Sequence, residues 1–165
     1  MTRLSDIYGN FFLGVDYVKV SDVKAYNVDG GTFTQAAWRT RDINTEDSDA
    51  SSICSISSNQ ITLEAGTYVF KALAPAAAVD RHVLRLYNIS DTAVVLLGNS
   101  TRALIATNTM NFAHVSGKFT IAAQKTFEIQ HYCTTTVATA GLGFKSNVSG
   151  IDSIYTAAEF WRVAT

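Results

Sequence analysis

The chain has 165 residues, of which 47% are hydrophobic, 11% aromatic and only 16% charged, so it carries enough apolar material for a substantial core and too few charges for a disordered tail. Thirteen Lys and Arg stand against 14 Asp and Glu, a net charge of −1, which lacks the basic excess that nucleic-acid binding draws on. No apolar run approaches the ~18–20 residues that span a bilayer, and the amino terminus lacks the pattern of a secretory signal, so neither membrane insertion nor export is expected.

Leu4, Ile7, Tyr8, Phe11 and Phe12 follow the i, i+3, i+4, i+7 spacing of a helix that Ser5 or Asp6 can cap. Gly9 weakens it and Gly14 ends it, which predicts a short arm or helix over 1–15 and a single domain over 16–165. From there the pattern is all-β. Short β-branched and aromatic runs recur, with clear alternation in Tyr17–Val23 and Gln60–Glu64. Turn residues cluster at Asn27–Gly31, Ser57–Gln60, Glu64–Gly66, Asn88–Asp91, Gly98–Ser100 and Ser116–Gly117. Strands are predicted at 16–23, 32–41, 53–57, 60–64, 67–74, 82–88, 92–97, 110–121, 125–133 and 153–163, enough for a two-sheet antiparallel sandwich. A Gly-x-aromatic triplet recurs at Gly31, Gly66 and Gly117, but the unequal spacing marks turn grammar and not a repeat. The charge-free stretch Ala72–Val79 reads either as a strand where another backbone approaches closely, with Pro75 at an edge or strand end, or as an Ala-rich crossover.

Residues that could carry chemistry are dispersed. His82, His114 and His131 match no metal-binding spacing, and although His131 and Cys133 share one face of a strand, two ligands do not define a site. The carboxylates within Asn44–Asp49 read as a solvated acidic loop without the glycine and distal glutamate of a calcium hand. No nucleophile elbow or phosphate-binding glycine loop occurs, so the chain is expected to be no enzyme and to hold no cofactor or metal. Cys54 and Cys133 are expected as free thiols. Three Asn-x-Ser/Thr triplets, at Asn88, Asn99 and Asn147, are expected to be inert.

Taken together, GGTFTQAAWRTRDINT (30–45), ISSNQITLEAGTYVFKALAPA (56–76), RHVLRLYNISDTAVVLLG (81–98), GKFTIAAQKTFEIQHYC (117–133) and the closing strand 155–163 resemble a family of tailed-bacteriophage virion proteins. The order of an AGxYxF strand, an LxLYN strand and a GxFxI–xxxTFEIQ hairpin is similar to the jelly roll of the globular complement and tumour-necrosis-factor group. The resemblance spans residues 17–165. It implies a homotrimer with one sheet of each subunit on the three-fold axis. Tyr155, Phe160 and Trp161 are then the expected trimer contacts, since Phe160 and Trp161 point to opposite faces of one strand and cannot share a core. The function it implies is that of a capsid decoration or cement protein on the virion surface, made in the host cytoplasm and binding the major capsid protein. Its arm residues Leu4, Ile7, Tyr8, Phe11 and Phe12 anchor it there or pack under its own trimer. The alternative is a receptor-binding tail-fibre tip or tail accessory protein, with tail proteins or a host surface receptor as partner and the polar loops at 44–52 and 98–109 as contact surface.

Overall fold

The computed structural model describes residues 15–164. The arm residues Leu4, Ile7, Tyr8, Phe11 and Phe12 lie outside that range. Twelve strands are described: β1 (Asp16–Lys24), β2 (Arg39–Thr40), β3 (Thr45–Asp49), β4 (Cys54–Ser57), β5 (Gln60–Leu63), β6 (Gly66–Ala77), β7 (Asp80–Asn88), β8 (Ala93–Leu97), β9 (Thr101–Ala103), β10 (Met110–Ile121), β11 (Lys125–Cys133) and β12 (Ser153–Ala164), with no helix among the described residues. They form two antiparallel sheets, one of order β10-β6-β12-β1-β3 and one of order β4-β5-β11-β7-β8, in which β2 also pairs with β11 and β9 with β7. This is a jelly roll. Between the sheets, Tyr68, Phe70, Phe119 and Phe160 from the first meet Phe127 from the second, with ring centroids 4.8 Å apart for Phe70–Phe160 and 5.5 Å for Phe119–Phe127.

The longest ladder joins β6 to β10 over twelve residue pairs, from Gly66↔Ile121 to Ala77↔Met110. The Ala-rich stretch is therefore strand, and the crossover reading falls. Ala72, Ala74 and Ala76 face inward, which narrows the sandwich at that end. Pro75 fits because Ala77, two residues on and oriented alike, donates its N–H to Gly141 on the side away from β10. The ring nitrogen of Pro75 thus faces away from the ladder, beyond Leu73, where the pairing of β6 with β12 ends.

Four expectations are corrected. The strand predicted at 32–41 is reduced to an isolated bridge, Phe33↔Val137, and the two residues of β2, because Ala36 adopts a left-handed conformation (φ 63°) that no strand continues through. The acidic stretch 44–49 is not a loop but edge strand β3, paired with β1 from Val18↔Asp49 to Ser21↔Thr45. Carboxylates on an edge discourage pairing with another chain. Ser116–Gly117 is no turn, since β10 runs straight through it and the missing side chain of Gly117 makes room for Leu96, whose Cδ2 would lie 2.6 Å from an added Cβ. The segment 98–109 likewise contains β9. The Ser57–Gln60 turn has the two consecutive left-handed residues, Ser58 and Asn59, of a two-residue hairpin.

Gly98 leaves β8 under the carbonyl oxygens of His114 and Leu84, both of which a Cβ would strike, whereas Gly150 (φ 75°) has nothing within 4 Å of that position. Gly98→Ala should therefore cost about 1–3 kcal/mol through backbone displacement, and Gly150→Ala only about 1 kcal/mol of conformational strain. Urea unfolding of the two variants, compared at pH 7, checks the order.

Candidate functional site

Two regions stand out, one interior and one on the surface. In the interior, at the Ala-lined end of the sandwich, Arg41 is fully buried. Its Nε donates to Thr156 Oγ1 at 2.8 Å, Nη1 to the Pro75 carbonyl at 3.3 Å and Nη2 to the Leu142 carbonyl at 3.0 Å. Among the described residues no carboxylate hydrogen-bonds to it or pairs with it. Burial lowers its pKa to about 10, and the nearby charges of Asp22 and Asp42 work in the opposite direction, so it stays protonated at neutral pH. Asp22 is itself buried, with Lys24 Nζ 3.1 Å away and that ammonium 2.7 Å from Asp42.

His82 and His131, separate in the sequence, meet beside this guanidinium. They lie on the inner faces of adjacent strands β7 and β11, with His82 Nδ1 and His131 Nε2 3.0 Å apart and sharing one hydrogen. Their other nitrogens, His82 Nε2 and His131 Nδ1, are buried without a partner among the described residues. Phe33 covers His131 with ring centroids 4.8 Å apart. Burial, with Arg41 adding repulsion, lowers His82 to about 4 and holds His131 well below its ordinary value. Both are neutral at physiological pH. Cys133 shares the inner face, and burial pushes its thiol up to about 11, while Cys54 lies elsewhere with its thiol pushed up to about 12, so neither is an activated thiolate. His114 is on the outer face of β10. Among the described residues no three His, Cys, Asp or Glu side chains are grouped to hold a metal ion.

The surface region is the outer face of the five-stranded sheet. Register aligns Tyr17, Trp161, Val69 and Lys118 in one row across β1, β12, β6 and β10, and Lys19, Glu159, Lys71 and Ser116 in the next. Trp161 packs on Tyr17 with centroids 5.5 Å apart, and the Tyr17 hydroxyl donates to Glu159 Oε1 at 2.7 Å. At the far end of the face, Met110, Phe112, Val148, Ile151 and Ile154 are 36–57% exposed around a cleft of about 310 Å³. Of the three expected contact residues only Trp161 is on this exposed face. Phe160 lies in the subunit's own core, and Tyr155 is covered by its own chain, with its hydroxyl donating to the Val28 carbonyl at 2.7 Å, so neither offers surface to a neighbour. Sequence reasoning missed the cleft because Val148 and Ile151 come from a segment without strand periodicity.

The sequence matches no family model and no curated protein. Among solved structures the fold is similar to murine APRIL at pH 5.0 (TM-score 0.59, 7% identity, covering 91% of this chain and 100% of that one). It is also similar to the globular domain of zebrafish complement 1qA protein (TM-score 0.53, 14% identity, covering 91% of this chain and 98% of that one). At such identities the likeness is one of fold.

The histidine pair should make the protein acid-labile. With folded pKa values depressed below about 6.5, the unfolded chain binds more protons between roughly pH 6.5 and 4, so stability falls as the pH drops through that window and is complete above it. The slope should approach about 1.4 kcal/mol per pH unit for each histidine. Denaturant titrations between pH 4 and 7.5 measure it, and His131→Gln should flatten it. Arg41→Ala, which leaves a cavity and strands two buried carbonyls, should cost about 3–5 kcal/mol at pH 7.

Proposed function

We propose that this protein is a homotrimeric structural protein of a tailed-phage virion, a capsid decoration protein that acts by binding and not by catalysis. The observation that carries the assembly is the outer face of the five-stranded sheet. Exposed apolar side chains at both ends of this face, Val69 beside the half-buried Trp161 at one and the apolar cleft with Phe112 at the other, suit burial against a second copy of the chain, and a closed ring of three copies buries such a face in every subunit. Val69, Phe112 and Trp161 then take the place of Tyr155 and Phe160 as contacts. The row Lys19–Glu159–Lys71 between them sets charges of both signs on the same face, which favours one register of subunit on subunit. The virion setting rests on the sequence likeness around Trp38–Asp42 and Lys125–Gln130. In that setting the trimer adds contacts to several capsid subunits at once, and the apolar arm of each subunit supplies an anchor whose weak individual hold is multiplied by three. The alternative reading as a receptor-binding tail-fibre tip draws instead on the polar segments 44–52 and 98–109.

Light scattering should give three times the 17.9 kDa chain mass at micromolar concentration, and Phe112→Glu should reduce it to that of a folded monomer. A monomeric parent protein overturns the assembly. Removing residues 1–14 should leave a folded trimer that no longer binds emptied phage heads, and full occupancy by the truncated protein would exclude the arm as anchor.

A further inference from the structure

The outer face of the seven-stranded sheet holds one cation in a fixed pose. The guanidinium carbon of Arg85, on β7, lies 3.9 Å from the ring centroid of Trp38 and 4.7 Å from that of Tyr87. Its Nε and Nη2 both donate to Gln130 Oε1, at 2.9 and 2.6 Å. Gln130 can turn that oxygen toward Arg85 because its own amide nitrogen donates to Glu128 Oε2 at 2.7 Å, and Glu128 is held in turn by Thr40 and Gln60. The rings set the plane of the guanidinium and the amide sets its rotation, so the ordering that usually opposes binding by a long side chain is already in place.

What Arg85 lacks is a countercharge. Its acceptor is a neutral amide, it joins none of the ion pairs among the described residues, and its Nη1 makes no hydrogen bond there. The Nη1–Nη2 edge is therefore a fork matched to the two oxygens of a carboxylate. Next to it, one position along each strand on the same face, Val83 and Tyr132 line a pocket of about 180 Å³ whose other walls include Ser100, Thr134 and Arg81. Tyr132 continues the aromatic surface, its ring centroid 5.6 Å from that of Trp38.

We propose that this fork and pocket bind a carboxylated sugar, with the acid group on Arg85, a pyranose C–H face against Tyr132 and the ring hydroxyls toward Ser100 and Thr134. A fixed fork beside a shallow pocket with hydroxyls on its walls suits a compact acidic ring better than an extended acidic peptide, which would need a groove or a sheet edge. The site is complete within one subunit and does not depend on the trimer.

Saturation-transfer NMR on the full chain tests it with 3′-sialyllactose, a glucuronic-acid disaccharide, lactose and a glutamate-rich peptide. At least one of the acidic sugars should bind, with lactose and the peptide silent. Arg85→Lys, which keeps the charge and loses the fork, should weaken binding by about tenfold or more. Arg85→Gln, which removes the cation and leaves the Gln130–Glu128 hydrogen bond in place, should abolish it, and an unchanged circular-dichroism spectrum separates lost binding from lost fold. Silence from both acidic sugars, equal binding of lactose, preference for the peptide, or binding that survives both substitutions would each overturn the proposal.

Discussion

A guanidinium withdrawn from water must find its hydrogen bonds within the protein, and Arg41 finds them on three separate segments of the chain. Thr156 belongs to β12, Pro75 to the end of β6 and Leu142 to the long connection between β11 and β12. The Ala side chains of β6 are what leave room for so large a group, and the carbonyl of Pro75 is available because no strand pairs with that side of β6 beyond Leu73. The charge then constrains its surroundings. Two histidines can occupy the same interior only in the neutral state, and the aromatic cover supplied by Phe33 keeps water from easing that restriction.

The two sheets share a core but present unlike exteriors. Outside the five-stranded sheet, apolar side chains flank a row of mixed charge, Lys19, Glu159 and Lys71, with an apolar cleft at one end. Outside the seven-stranded sheet, Thr40, Gln60, Glu128, Gln130 and Arg85 form a continuous hydrogen-bonded network between aromatic rings. An exterior of the first kind is at ease when covered, and one of the second kind is already organised while wet.

Much of the fold was legible in the sequence. Period-two alternation located β5, β7 and β11 closely, and the Ser57–Gln60 hairpin could be read from its turn residues alone. Where local pattern misled, a non-local partner was responsible. Thr34 to Ala37 have a composition that a strand tolerates, but the left-handed Ala36 breaks the run. The acidic residues 45–49 look like a loop until β1 is placed beside them. His82 and His131 were read as separate residues, with only Cys133 sharing a face with His131. That the two rings touch depends on β7 lying next to β11, which no local signal encodes. Tyr155 was expected at the trimer contact, yet segments far away in the chain cover it.

The position of β12 between β6 and β1 bears on how the chain reaches this state during synthesis. Without its last strand the five-stranded sheet is two fragments, β10-β6 on one side and β1-β3 on the other, with Phe160 absent from the aromatic cluster and Thr156 absent from Arg41. Until β12 has left the ribosomal exit tunnel, the nascent polypeptide lacks the strand that joins β1 to β6. Productive folding must therefore wait until β12 has emerged, and until then the Arg41 guanidinium and the inner face of β1 depend on the surrounding solvent or on chaperones.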